Sequence, residues 1–168
     1  MAYSKVRRTF NVEHMCLECK SSFDDVHREL LTILPLLEPA NWEVLARGEQ
    51  IKVEAARRSG PKLWLFLMRD HGQLTEADGL KSKAIQYEIG NPLTAERMTR
   101  RQLAAGLYAP LRVYLYEDTR GRAIFEYDLP SSLFGQYGDD GVTAVGRELD
   151  SELEQALAAA AGYGENPI

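Results

Sequence analysis

Apolar residues recur along this chain with two spacings, one typical of strands and one typical of helices. The strand spacing predicts five segments, at residues 11–20, 62–68, 83–89, 111–117 and 122–127. Residues 62–68 are almost continuously apolar, which predicts a central strand buried on both faces. In residues 83–89 and 111–117 every second side chain is apolar, so these strands are expected to bury one face.

The helical spacing appears between and after these strands. A first helix is predicted after Ser21 and Ser22, which can cap it, and its apolar stripe is Phe23, Val26, Leu30, Ile33 and Leu34. Further helices are predicted around Trp42 and Leu45, over residues 50–58, from Pro92 to about Gln102, and in a long C-terminal segment capped by Asp140. Residues 130–139 are expected to form a loop. Asp118–Gly121 is expected to form a hairpin turn, with glycine where the backbone tolerates positive φ.

The predicted element order is β-α-α-α-β-β-α-β-β-α, with strands in pairs that short turns connect. This order is typical of the α+β class: a mostly antiparallel five-stranded sheet with helices packed on one face and a long C-terminal helix. We expect one domain over residues 11–161. A loose N-terminal tail (1–10) and a frayed C-terminal tail (162–168) are expected to flank it.

Composition narrows the classes of function. The 168 residues are 45% hydrophobic and carry a net charge of −5, which suits an ordinary globular protein and not a general nucleic-acid binder. The longest apolar run, residues 30–37, is too short to span a bilayer, and residues 1–14 lack the apolar core of a signal peptide. We therefore expect a cytoplasmic protein with neither nucleic acid nor membrane as a partner.

Both cysteines of the chain lie close to a histidine, in the stretch His14 to Lys20. On one extended strand the Cα atoms of Cys16 and Cys19 are about 10 Å apart and the side chains point to opposite faces, so they cannot form a disulfide. A structural zinc site takes four protein ligands, and no second pair with suitable spacing is present. We predict two reduced cysteines without a metal.

Three later segments carry a more specific pattern, and they are Phe66–Gly72, Tyr87–Met98 and Leu107–Asp118. In this order and spacing they resemble the bacterial and archaeal family called domain of unknown function 302, over about residues 60–128. That family pairs a strand ending in Asp-His, here Asp70-His71, with a strand ending in Gly-Asn-Pro, here Gly90–Pro92. Ala109-Pro110 stands where the family usually has Leu-Pro. The resemblance implies a compact α+β fold, homodimers and no agreed activity.

The Gly90-Asn91-Pro92 sequence has a structural and a functional interpretation. Asparagine is among the best N-caps and proline is favoured at the first helical position, so the three residues can simply start a helix. Capping alone predicts that Asn91→Asp is nearly neutral for stability. Alternatively, free N–H groups at this helix start bind a small anionic ligand, with contributions from Gly90, Asn91, Thr94 and Arg97.

His71 and Asp70 are the candidate catalytic residues. As alternatives, His71 bonds a turn carbonyl, or it binds a metal or haem, with Met98 as a possible second haem ligand. The eleven residues from Gly72 to Ser82 favour a hairpin over a parallel crossover. In a hairpin, His71 and Asn91 lie at opposite ends of the pair, about 20 Å apart. This separation weakens the hypothesis of a single catalytic site.

Two functions therefore stay open. The first is a cytoplasmic homodimeric binding or accessory protein for a small ligand, with no cofactor; the second is an enzyme or a haem- or metal-binding protein that uses His71. Tyrosine offers the amphipathic contact area that is common in protein interfaces. Four tyrosines are predicted to support the dimer: Tyr108, Tyr114, Tyr116 and Tyr127. The glycine-rich residues 135–141 are expected to be a flexible connection, or alternatively a lid over a ligand.

Overall fold

The computed structural model describes residues 3–47, 60–76, 79 and 81–164. The strands within them are β1 (His14–Glu18), β2 (Trp64–Asp70), β3 (Ala84–Gly90), β4 (Leu111–Glu117) and β5 (Ala123–Asp128). The helices are α1 (Phe23–Ile33), α2 (Pro39–Ala46), α3 (Gly72–Glu76), α4 (Pro92–Thr99), α5 (Pro130–Phe134) and α6 (Asp140–Ala160). 3-10 turns occupy Leu103–Tyr108 and Gly135–Tyr137. The helix predicted over residues 50–58 lies outside the described residues.

The five strands of the described residues form one antiparallel sheet in the order β1-β5-β4-β3-β2. Every second side chain of β3 and β4 is buried, and these side chains join a single core with residues of α1 and α6. The predicted α+β class with a long C-terminal helix is therefore confirmed. None of the helices that the structure describes is both long and apolar enough to cross a bilayer.

The prediction that residues 62–68 form a central strand is wrong, because β2 lies at the edge of the sheet. Leu63, Trp64 and Leu65 are buried, since the chain that follows α1 lies against the start of β2: Leu37 N donates to Leu65 O at 2.8 Å. Further along, Leu67 and Met68 are each 42% exposed. A continuous apolar run shows that a strand is hydrophobic, but not how many neighbours it has.

Side chains nearby in sequence cap the starts of α1 and α6, and at α1 the cap is one that the sequence predicts. Ser22 caps α1, and its hydroxyl accepts from Asp25 N at 3.3 Å. The cap of α6 is Asp139 and not the predicted Asp140, since the Asp139 carboxylate accepts from Val142 N at 2.9 Å. The hairpin turn ends as predicted at Gly121, whose φ of +75° lies in the left-handed region.

Two predicted segment lengths are corrected. The helix from Pro92 ends at Thr99 and not near Gln102. The predicted loop over residues 130–139 contains α5, which begins at Pro130, a residue suited to the first helical position. Asp150 of α6 holds this helix start, because its carboxylate accepts from Ser131 N at 2.8 Å.

Tyr163, which follows the predicted domain boundary at residue 161, is attached to the sheet. Tyr163 N donates to Ala158 O at 3.0 Å, and the Tyr163 hydroxyl donates to Glu18 O at 2.8 Å. Lys20 also lies over the Tyr163 ring, 4.2 Å from its centroid. Tyr163 thus connects the end of α6 to β1.

Candidate functional site

The two sequence motifs lie at the two ends of the β2–β3 hairpin. Trp64 pairs with Gly90 and Asp70 pairs with Ile85, so the antiparallel register places Asn91 and His71 at opposite ends, as the loop length predicted. Seven residues of β3 separate them, a span of about 20 Å. The structure therefore does not bring the two motifs into one site.

Asn91 uses its whole side-chain amide within the fold. Its Oδ1 accepts from Leu93 N at 2.9 Å and from Thr94 N at 3.4 Å, which is the predicted N-cap of α4. Its Nδ2 donates to Lys62 O at 2.9 Å, just before β2 begins. The residue thus caps one element and fixes the entry to another. The second contact joins residues 29 apart, so no local pattern reveals it.

The arginines expected to help an anion are paired with carboxylates. Arg97 Nη1 and Nη2 donate to Glu148 at 2.6 and 2.9 Å, which raises the pKa of Arg97 and lowers that of Glu148. Arg100 donates to Glu96, and Arg101 Nε donates to Asp139 at 2.7 Å. An anion at the α4 N-terminus stays a prediction, with little support from these side chains.

A cavity of about 570 Å³ lies beside Asn91, where α2, β2, β3, α4 and α6 meet. Most of its wall is apolar and includes Trp42, Phe66, Met98, Pro110, Phe134 and Leu149. Met98, Phe134 and Leu149 belong to the buried set, so they form a fixed floor. At Gly90 a Cβ would lie 3.5 Å from Phe66 and 3.8 Å from Pro110, so the missing side chain keeps this space open.

A second cavity, of about 430 Å³, adjoins the first. Four residues line both: Glu88, Ala109, Pro110 and Leu111. The peptide bond between Ala109 and Pro110 is cis. The second cavity is more polar, because Arg112 and Asp128 line it together with Glu88.

The Asp70-His71 end is more open. The His71 ring packs edge-on against Tyr114, 5.5 Å between centroids, next to a pocket of about 370 Å³. Asp70 Oδ1 instead accepts from Gln73 N at 3.1 Å, and its charge acts on His27 and Tyr87 on the helix-covered side. Asp70 therefore has no contact that orients His71.

Met98, the alternative haem ligand, lies far from His71. It is 1% exposed and lines the large cavity at the Asn91 end of the hairpin, whereas His71 lies at the other end. Within the described ranges, no group of three or more His, Cys, Asp or Glu side chains is arranged for a metal ion. One chain does not place His71 and Met98 around a common centre.

The two cysteines occur as free thiols in different surroundings. Cys16 on β1 is exposed, and Cys19, just after the strand, is half-buried. Burial raises the pKa of the Cys19 thiol to about 11, which disfavours the reactive thiolate.

A half-buried histidine and a buried tyrosine form a pair that the sequence pattern did not predict. His27 Nδ1 lies 2.7 Å from the hydroxyl of Tyr87, which is fully buried. Burial lowers the pKa of His27 and raises that of Tyr87. Position 27 follows the apolar stripe residue Val26, and Tyr87 lies on the apolar face of its strand. These two positions in the sequence pattern were the only signal from which the pair could have been predicted.

Comparisons with known proteins agree with this architecture. The family model described as "Domain of unknown function DUF302" matches residues 55–160, from before β2 to the end of α6. The crystal structure of the uncharacterized conserved protein DUF302 from Bacillus stearothermophilus superimposes with a TM-score of 0.64 at 14% identity, covering 88% of this chain and 97% of that one. At this identity the likeness concerns the fold alone. No curated protein matches the chain.

Proposed function

This chain belongs to the DUF302 family, and from that premise we propose that it is a small-ligand-binding protein whose ligand occupies the cavity beside Asn91. The observation that carries the proposal is the cavity itself. Its volume of about 570 Å³ lies in the range of small-molecule sites, which are mostly apolar with a few polar groups. The ligand body is therefore apolar.

The shape of the cavity supports binding without a large rearrangement. Its floor is built from side chains of the core, and its sides include the Trp42 and Phe66 rings, which meet edge to face at 6.4 Å. Trp42 is half exposed, so a ligand would cover apolar surface that now faces solvent. Each Å² of such surface removed from water contributes about 25 cal/mol.

The binding test uses the neutral fluorescent probe N-phenyl-1-naphthylamine and two matched variants. Ala95 lines the cavity, and Ala95→Trp fills part of it. Ala144 is an exposed alanine of α6 that does not line the cavity, so Ala144→Trp is the control. We expect saturable binding to wild type and Ala144→Trp, and at least tenfold weaker binding to Ala95→Trp. Absence of saturable binding to wild type, or equal binding to both variants, would reject this site.

We further propose that the protein is a homodimer that uses the face of the sheet on which Tyr114 and Tyr116 lie. Tyr114 and Tyr116 lie side by side on this face, 6.0 Å between ring centroids, and the Tyr116 hydroxyl donates to Glu126 at 2.8 Å. Tyr127 no longer belongs to the proposed interface, since it is 6% exposed and lies in the core. We expect a dimeric mass by light scattering at micromolar concentration and a monomeric mass for Tyr114→Glu. A monomeric wild type would contradict the proposal.

A cytoplasmic location is also part of the proposal, and the free thiols of Cys16 and Cys19 support it, since thiols persist in reducing compartments. Cell fractionation against a cytosolic marker enzyme tests it. Recovery of the protein with a secreted or membrane fraction would contradict the location.

The second candidate function, an enzyme or a haem- or metal-binding protein, rests on His71 beside its own pocket. It has less support, because neither Asp70 nor Met98 contacts that histidine. An absorption spectrum and metal analysis of the purified protein test it. A Soret band or stoichiometric metal that His71→Ala removes would establish it over ligand binding at the large cavity.

A further inference from the structure

The second cavity extends the candidate binding space toward charged side chains. It shares the wall formed by Ala109, Pro110 and Leu111 with the apolar cavity, and Leu107 and Leu133 continue this wall. Arg112 lines only the second cavity, and it directly follows Leu111, which lines both. A ligand long enough to extend from the first cavity past these shared residues would enter the space that Arg112 lines.

Four charged side chains of the described residues line the two cavities, and the three carboxylates among them have partners. Glu88 accepts from Arg69 at 2.6 Å, Glu96 accepts from Arg100, and Asp128 accepts from His14 at 2.9 Å. The hydrogen bond to the Asp128 carboxylate is the main reason that the pKa of His14 is raised. Arg112 pairs in register with Glu88 across β3 and β4, yet within residues 3–47, 60–76, 79 and 81–164 its guanidinium forms no ion pair or hydrogen bond.

We propose that the ligand of this protein is an amphipathic carboxylate, with its apolar body in the large cavity and its carboxylate on Arg112. This inference rests on the proposed function and specifies its ligand class. A guanidinium donates two parallel hydrogen bonds to a carboxylate, a geometry that an alcohol or an amine does not match. Each of the three carboxylates already has a hydrogen-bond partner, so Arg112 determines the preferred sign of the ligand charge. A small anionic ligand at the α4 N-terminus is one of the two interpretations of the Gly-Asn-Pro sequence, and the site proposed here lies on β4 instead.

Three ligands with the same ten-carbon chain distinguish the contribution of the head group to binding from that of the apolar body. They are decanoate, decan-1-ol and decylamine. Each is titrated below its aggregation concentration against protein loaded with the neutral fluorescent probe, at pH 7.5. We expect wild type to bind decanoate at least tenfold more tightly than decan-1-ol, and decylamine no more tightly than decan-1-ol.

Variants of Arg112 connect this preference to one side chain. Arg112→Ala should bind decanoate and decan-1-ol within twofold of each other, with decan-1-ol binding unchanged from wild type. Arg112→Lys should keep part of the preference, because the charge remains and the paired hydrogen bonds do not. Arg147→Ala, which removes an exposed arginine of α6 that lines neither cavity, should behave as wild type.

The possible outcomes distinguish the inference from the proposed function. Equal binding of decanoate and decan-1-ol to wild type, a preference for decylamine, or a carboxylate preference that survives in Arg112→Ala would each overturn the role of Arg112. In all three cases the cavity would still bind apolar molecules and the proposed function would stand. Absence of any saturable probe binding would overturn both.

Discussion

The two ends of the β2–β3 hairpin carry the two motifs of this chain, and they differ in how far other elements of the fold enclose them. At the Gly-Asn-Pro end, Asn91 connects α4 to the entry of β2, and the surrounding elements enclose a cavity. At the Asp-His end, Asp70 and His71 point to opposite sides of an exposed strand. Residue types common in active sites, such as Asp and His, do not form a site unless other elements enclose them. A capping residue can lie beside a cavity although its own side chain is used within the fold.

The difference arises from how the edge strand is covered. The segment after α1 bonds to the start of β2 through Leu37 and Leu65, and α2 brings Trp42 against Phe66. From Leu67 onward, β2 side chains are exposed. The β2 side chains are therefore covered by other elements mainly at the Gly-Asn-Pro end of the hairpin. Experiments that compare the two ends can confirm or refute this contrast.

The largest expected effect is that of Asn91→Ala. The cap contributes about 1 kcal/mol and the hydrogen bond to the Lys62 carbonyl about 1 kcal/mol more, so the free energy of unfolding should fall by about 2 kcal/mol. The matched variant at the other end is Asp70→Ala, which loses one 3.1 Å hydrogen bond to Gln73 N and should cost about 0.5 kcal/mol. Urea unfolding measures both. Equal losses would contradict the contrast between the ends.

Asn91→Asp should have a smaller effect that capping alone does not predict. Aspartate keeps the cap, but it lacks the Nδ2 donor and places an acceptor against Lys62 O. The free energy of unfolding should therefore fall by about 1 kcal/mol, where a pure cap predicts no change. The same urea titration tests this expectation. An unchanged midpoint and slope would show that the bond to Lys62 contributes nothing.

His71→Ala should change stability as little as Asp70→Ala. The histidine ring makes an edge contact with Tyr114, so its loss should cost about 0.5 kcal/mol. Thermal unfolding, with dimer mass as a control, measures this cost. A loss above about 2 kcal/mol would identify a buried network at the Asp-His end and place it on a par with the Asn91 end.

The pKa values of His27 and His14 should be shifted in opposite directions from that of a free histidine. Burial lowers the pKa of His27 despite the charges of Asp24 and Asp70, so stability from His27 is present above pH 6.5 and is lost as the pH falls below it. The hydrogen bond to Asp128 raises the pKa of the exposed His14, so its smaller contribution is present below pH 6.5 and is lost as the pH rises. NMR titration of the imidazole protons measures both midpoints. His27→Gln should flatten the loss of stability toward acid, and His14→Gln should not.

Much of the architecture follows from patterns within a few residues. The alternation in β3 and β4, the cap at Ser22, the turn at Gly121 and the hairpin between Asp70 and Ile85 were all predictable in this way. In each case neighbours in sequence supply the deciding interaction. The α+β class followed from the order of these elements.

What the tertiary structure decided depends on residues that are distant in sequence. The chain itself determined the strands, the starts of α1 and α4, the hairpin and the cap at Asn91. Only the fold placed β2 at the edge, paired Asn91 with the Lys62 carbonyl, paired Arg97 with Glu148 and left Arg112 beside a cavity. The physical reason is that caps and turns are satisfied by local backbone groups. Edges, ion pairs and cavities exist only once separate elements pack against one another.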